Sequence, residues 1–147
     1  MYQQIEHLRE ISQRCLEGKN LREDLSVWLG RALSAYLERR SRSLEDAFGL
    51  QFPQGGVPWW REEAIRERDR AIRALAAAHY SGQTTYGKAK AIRALAKRYA
   101  GTAWNRDRLI PAMPERYHGT AKAYLWRAFR SGAPMPLGLR QLQSVLG

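Results

Sequence analysis

The chain has 147 residues, 44% hydrophobic and 27% charged, with five tryptophans and seven tyrosines; it suits one compact domain, or a small domain with an attached helical module, and excludes disorder. Lys and Arg number 25 against 14 acids, a net charge of +11 that points to an anionic partner. One cysteine, Cys15, three scattered histidines and no apolar run near the roughly 18 residues of a membrane span exclude an internal disulfide, a metal cluster and a transmembrane segment, so a cytoplasmic protein with no metal or cofactor is expected.

Residues 3–17 set Ile5, Leu8, Ile11, Cys15 and Leu16 along one side of an amphipathic helix closed by Gly18, which reads as structure rather than a signal peptide. Asn20 with Glu23 three residues on has the reciprocal capping pattern. Behind it Leu21, Leu25, Trp28, Leu29, Ala32, Tyr36 and Leu37 recur at threes and fours, and the helix stops near Arg39, Arg40 and Ser41. These two helices carry more apolar surface than an isolated pair can bury, so residues 3–40 are expected to form a homodimer or hold a partner. Ser43 caps a short turn stopped by Gly49. Residues 51–58, with two prolines and adjacent glycines, form a loop between residues 1–50 and a basic module, residues 59–147.

Trp59 and Trp60 open a long helix with Ile65, Ile72, Leu75, Ala76 and His79 as its seam. Arg61, Glu62, Glu63, Arg66, Glu67 and Arg70 are its mixed-sign, structural neighbours. After the turn Ser81–Thr84, a helix capped by Thr84 or Thr85 runs to Gly101. The string Ala71–Ala76 recurs as Ala91–Ala96; such alanine seams let helices approach closely, so residues 59–100 read as a helical hairpin or angled pair. Thr102 caps a short helix carrying Trp104, Arg106 and Arg108. Thr120 caps another with Tyr124, Leu125, Ala128 and Phe129 inward. After Ser131–Pro136, Leu139, Leu142, Val145 and Leu146 form the last helix. No segment alternates with period two, and the expectation is an all-α, compact fold of about six to seven helices.

The charge is unevenly spread. Residues 1–69 hold 11 basic and 12 acidic side chains, whereas residues 70–147 hold 14 basic and only two acidic, Asp107 and Glu115. Like charge at this density opposes folding through self-repulsion, and binding a polyanion accounts for it economically. Between Gly82 and Gly101, Ala89, Ile92, Leu95, Ala96 and Tyr99 fall on one side of a helix. Tyr86, Lys90, Arg93 and Lys97 fall on the other, with Lys88 and Arg98 beside them. Cations at these spacings repel one another, so their natural partner is an anion.

A helix, a short turn with glycine and a second, capped, cation-rich helix resemble the helix-turn-helix of bacterial and phage DNA-binding proteins. Two places carry the resemblance: Ile65–Tyr80, Ser81–Thr84 and Thr85–Tyr99; and Ala121–Arg130, Ser131–Pro136 and Leu137–Leu146. Ala78 and Gly82 in the first, and Ala128 and Gly132 in the second, match the small residue and turn glycine, four apart. The apolar positions that follow come into phase with a turn a residue or more longer than the common form. The resemblance implies a transcription regulator. In its first place it sets Tyr86, Lys90, Arg93 and Lys97 along the major groove, and Thr84 and Thr85 with the free N–H groups on a phosphate. It makes Arg106, Arg108, Lys122, Arg127, Arg130 and Arg140 flanking backbone contacts.

Trp28, Trp59, Trp104, Tyr36, Tyr99 and Tyr124 sit at core phase, which leaves Trp60, Trp126 and Tyr117 as candidates for base stacking. Little supports catalysis. Glu62 and Glu63 point apart, Asp107 lacks a carboxylate partner, no histidine neighbours Cys15, and His79 reads as a core histidine. Gly55-Gly56 lacks the lysine and hydroxyl residue of a phosphate-cradling loop. The expected function is non-enzymatic binding of duplex DNA. RNA binding, DNA packaging and docking of an acidic protein are the alternatives, and no membrane role is expected.

Overall fold

Apolar side chains recurring at threes and fours share one face only when the chain winds into helices, and every regular element here is helical. The computed structural model describes residues 2–52 and 54–147; among them are eight α-helices, one 3-10 turn and no strand. The fold is all-α, with more helices than the six or seven expected because two are single turns. The chain divides into two compact units, Met1–Trp59 and Trp60–Gly147.

The first unit holds α1 (Tyr2–Leu16), α2 (Glu23–Leu37) and α3 (Leu44–Ala47). Ile5, Ile11, Leu25, Ala32 and Leu50 are buried, and the Trp28 ring lies 5.2 Å from that of His7 and 5.4 Å from that of Phe48. Gly18 and Gly49 adopt φ values of 66° and 70°, the left-handed conformation that ends a helix without a Cβ clash. Ser43 accepts the Asp46 N–H at 3.1 Å, as its position suggests.

The Asn20–Glu23 reciprocal cap does not form. α2 begins at Glu23 behind Arg22, without a side-chain cap, and Arg22 instead reaches Glu10 on α1 at 3.3 Å. Several residues expected inside are outside: Cys15 is exposed, as are Leu16, Tyr36 and Leu37. Periodicity identifies an apolar face, but burial requires another element to cover it, and these three helices leave one side of α2 open.

The second unit contains all of α4 (Trp59–His79) but its first residue, α5 (Thr85–Gly101), α6 (Trp104–Asp107), the 3-10 turn Glu115–Tyr117, α7 (Ala121–Arg130) and α8 (Leu139–Leu146). One core joins Ala71, Ile72, Leu75 and Ala76 of α4, Ala89, Ile92, Ala96 and Tyr99 of α5, Ala123, Leu125 and Ala128 of α7, and Leu142 of α8. The alanine seams do not make a tight α4–α5 hairpin. The close partner of α5 is α8, whose Leu142 is fully buried, and Ala89 and Ala96 are small enough to admit it. α4 is tied to the carboxyl-terminal segment by Arg68 Nη1 donating to Pro134 O at 2.7 Å and Arg73 Nε donating to Val145 O at 2.8 Å.

Three further expectations, at Thr102, Thr120 and His79, are corrected. The Thr102 and Thr120 hydroxyls donate backward, to Arg98 O and Tyr117 O, each at 2.7 Å, rather than capping the helices ahead of them. α5 ends at Gly101 as expected, with that glycine as its last helical residue. His79 is not a core histidine: it is exposed, edge-on to the Tyr124 ring at 5.8 Å.

Candidate nucleic-acid interface

The excess charge belongs to one unit. Residues 60–147 carry 17 basic and six acidic side chains, whereas residues 1–59 carry eight of each. Within the second unit, Thr84 accepts the Gly87 N–H at 3.1 Å and starts α5, with Thr85 as its first residue. Ala89, Ile92, Ala96 and Tyr99 hold the inner side of α5 on the core, so Tyr86, Lys90, Lys97 and Arg98 are turned outward. Lys88 and Arg93 are half-buried, and the Arg93 Nε is buried without an acceptor. Among the described residues no carboxylate pairs with Lys88, Lys90, Arg93, Lys97 or Arg98.

A second group of cations gathers on α7. Arg127 lies 5.7 Å from the Tyr124 ring centre and Arg130 5.6 Å from that of Trp126, and Arg130 Nη1 also donates to Ile110 O at 3.2 Å. Each guanidinium lies within cation–π range of its ring and keeps N–H groups for an anion. With Arg70 of α4, these two arginines line a cleft of about 360 Å³ between α4 and α7, in which Glu67 is the one lining acid. The Trp126 Nε1 is buried without a partner. Arg70 escaped the sequence reading because its spacing from Arg66 and Glu67 looks structural. The cleft with α7 adds Arg127 and Arg130 to the Arg66 and Arg73 that flank it on its own helix.

Tyr117 is no stacking platform: it is 2% exposed, with Arg116 and Lys122 over its ring at 5.1 and 5.5 Å. Trp126 is half-buried and Trp60 exposed. The reason Tyr117 is buried is Asp107, which is fully buried and accepts from the Tyr117 hydroxyl at 2.7 Å and the Tyr99 hydroxyl at 2.9 Å. Arg106, expected as a flanking contact, donates to the same carboxylate at 3.3 Å while much of its side chain stays exposed. Burial by itself would raise the Asp107 pKa, but the bonds from Tyr117, Tyr99 and Arg106 outweigh it and hold the carboxyl below its ordinary range. Burial, and then donation to Asp107, push the Tyr99 phenol upward. Arg108 is exposed, its Nε 3.4 Å from Asn105 O.

The two helix pairs differ at their marker residues. In α7–α8, Ala128 is buried and Gly132 adopts φ 83°; at α4–α5, Ala78 is exposed and Gly82 lies outside the left-handed region. α8 presents Arg140, Gln141 and Ser144 to solvent, and the last two carried no signal beyond their polarity.

No protein-family model, characterised protein or solved structure matches this chain.

The candidate residues therefore fall into an α5 stripe of Tyr86, Lys90, Lys97 and Arg98 with Arg93 at its edge, and an α4–α7 cleft holding Arg70, Arg127 and Arg130. No residue of α5 lines that cleft. Lys122 and Arg106 are engaged with Tyr117 and Asp107. Among the described residues no group of three His, Cys, Asp or Glu could hold a metal, and no helix is long and apolar enough to cross a membrane.

Proposed function

We propose that residues 60–147 bind duplex DNA without catalysis, and that the protein acts as a DNA-binding regulator. The observation that carries this reading is the location of the whole +11 charge in that unit, with the outward cations of α5 unpaired by any described carboxylate. Unpaired, exposed cations on a rigid helix neutralise phosphates and release counterions on binding, a gain that no intramolecular contact here offers. Arg127 and Arg130 of α7 add a second set of donors. The exposed Arg140, Gln141 and Ser144 of α8 supply the side-chain types that hydrogen-bond base edges, in the helix pair whose Ala128 and Gly132 suit a helix-turn-helix.

The test is fluorescence anisotropy with a random duplex at 50 and 200 mM salt, on wild type and on Lys90→Ala/Lys97→Ala and Arg127→Ala/Arg130→Ala variants of unchanged helicity. Wild-type affinity should fall steeply with salt, with log K decreasing by about 0.9 per log unit of salt for each phosphate neutralised. The α5 variant should bind at least tenfold more weakly, with a shallower slope. Absence of binding at 50 mM salt, or affinity indifferent to salt, would overturn the proposal and turn the search to an acidic protein.

A further inference from the structure

α2 has two apolar sides, and only one is used. Leu25 and Ala32 are buried and Trp28 packs between His7 and Phe48, whereas Val27, Leu33 and Leu37 stand 44%, 39% and 76% exposed on another side. Ser26, Gly30 and Ser34 lie between them at steps of four, all exposed, so no charge interrupts this side from Ser26 to Leu37. A Cβ at Gly30 would meet nothing within 4 Å, so no intramolecular contact explains a glycine in mid-helix, where it weakens the helix.

We propose that this side of α2 binds α2 of a second copy of the chain, antiparallel, with Gly30 at the two-fold axis. A two-fold axis sets residue 30 − k of one copy against residue 30 + k of the other. Ser26 then faces Ser34, Val27 faces Leu33 and, at the rim, Glu23 faces Leu37, while the side chains beside the axis are small enough for close approach. The charges choose the direction. α2 begins with Glu23 and Asp24, of which Asp24 is paired with Arg22 at 3.1 Å, and ends before Arg39 and Arg40, of which Arg40 is paired with Glu38 at 2.7 Å, so Glu23 gives the start its net negative charge and Arg39 gives the end its net positive one. Antiparallel copies bring each acidic start to the other's basic end; parallel copies would oppose like charges at both ends. The proposal is independent of DNA binding, since none of these residues belongs to the second unit.

Sedimentation velocity of the full chain from 1 to 100 µM should show a monomer–dimer equilibrium. Leu33→Glu, at a site that is exposed in the monomer, should shift that equilibrium at least tenfold toward monomer with unchanged circular dichroism. Orientation is read separately in a Cys15→Ser background. A short bismaleimide should join Val27→Cys to Leu33→Cys in a mixture faster than it joins either variant to itself. A monomer at 100 µM, a dimer indifferent to Leu33→Glu, or faster Val27→Cys self-coupling would each overturn it.

Discussion

At the level of single residues the most consequential side chain is Asp107, one acid in a strongly basic half. Its carboxylate receives two buried hydroxyls and a guanidinium, which joins the end of α5, α6 and the 3-10 turn. Asp107→Ala strands both hydroxyls and should cost roughly 2–4 kcal/mol in urea unfolding. Its pKa is depressed in the folded state, so below the ordinary carboxylate range, near pH 4, the unfolded chain binds more protons and stability rises with pH. The contribution is full above that range and is lost as pH falls through the folded value. Asp107→Asn should therefore flatten the acid limb of a stability–pH curve. The raised Tyr99 phenol acts at the other end: its stabilisation is present below about pH 10 and is lost as pH rises beyond it. Nothing local in the sequence marks Asp107 as buried, because Tyr99 and Tyr117 lie eight and ten residues away along the chain and meet it only through the turn after α6.

At the scale of elements, caps and faces behave differently. Thr84 sits where a hydroxyl should start α5 and does so; Thr84→Ala should lower stability by about 1 kcal/mol in thermal unfolding, with the helix otherwise retained. Thr102 and Thr120 have the same chemistry but bond backward to carbonyls, a choice made by the turns around them. Gly30 separates two effects. Gly30→Ala should stabilise the dilute monomer by up to about 1 kcal/mol through helix propensity, while the added methyl on the proposed axis weakens self-association. Thermal melts at 1 µM and sedimentation at 100 µM read the two separately. A gain in both would count against α2 as the interface.

For the whole molecule, the division of charge between the units sets the expectation. If the second unit alone meets DNA, saturating duplex should slow amide exchange in α5 and α7 and leave α1–α3 as they were. At a duplex concentration about 100 times Kd, linkage adds roughly 2.7 kcal/mol to the unit that binds. Protection spread equally over both units would contradict this.

Helix positions, the all-α class, the outward stripe of α5 and the uneven charge were all legible in the sequence, because each depends on spacing or composition along a few turns of chain. The sequence by itself determined which residues are apolar, at what period, and that the cations outnumber the acids after residue 70. Tertiary structure decided what covers each face. It put α8 rather than α4 against α5, left Val27, Leu33 and Leu37 of α2 in solvent, buried Asp107 beneath two tyrosines, and gave Arg70 its company with Arg127 and Arg130. The physical reason is that a helix's own periodicity is a property of neighbours along the chain, whereas burial and charge clustering depend on residues brought together from distant parts of it.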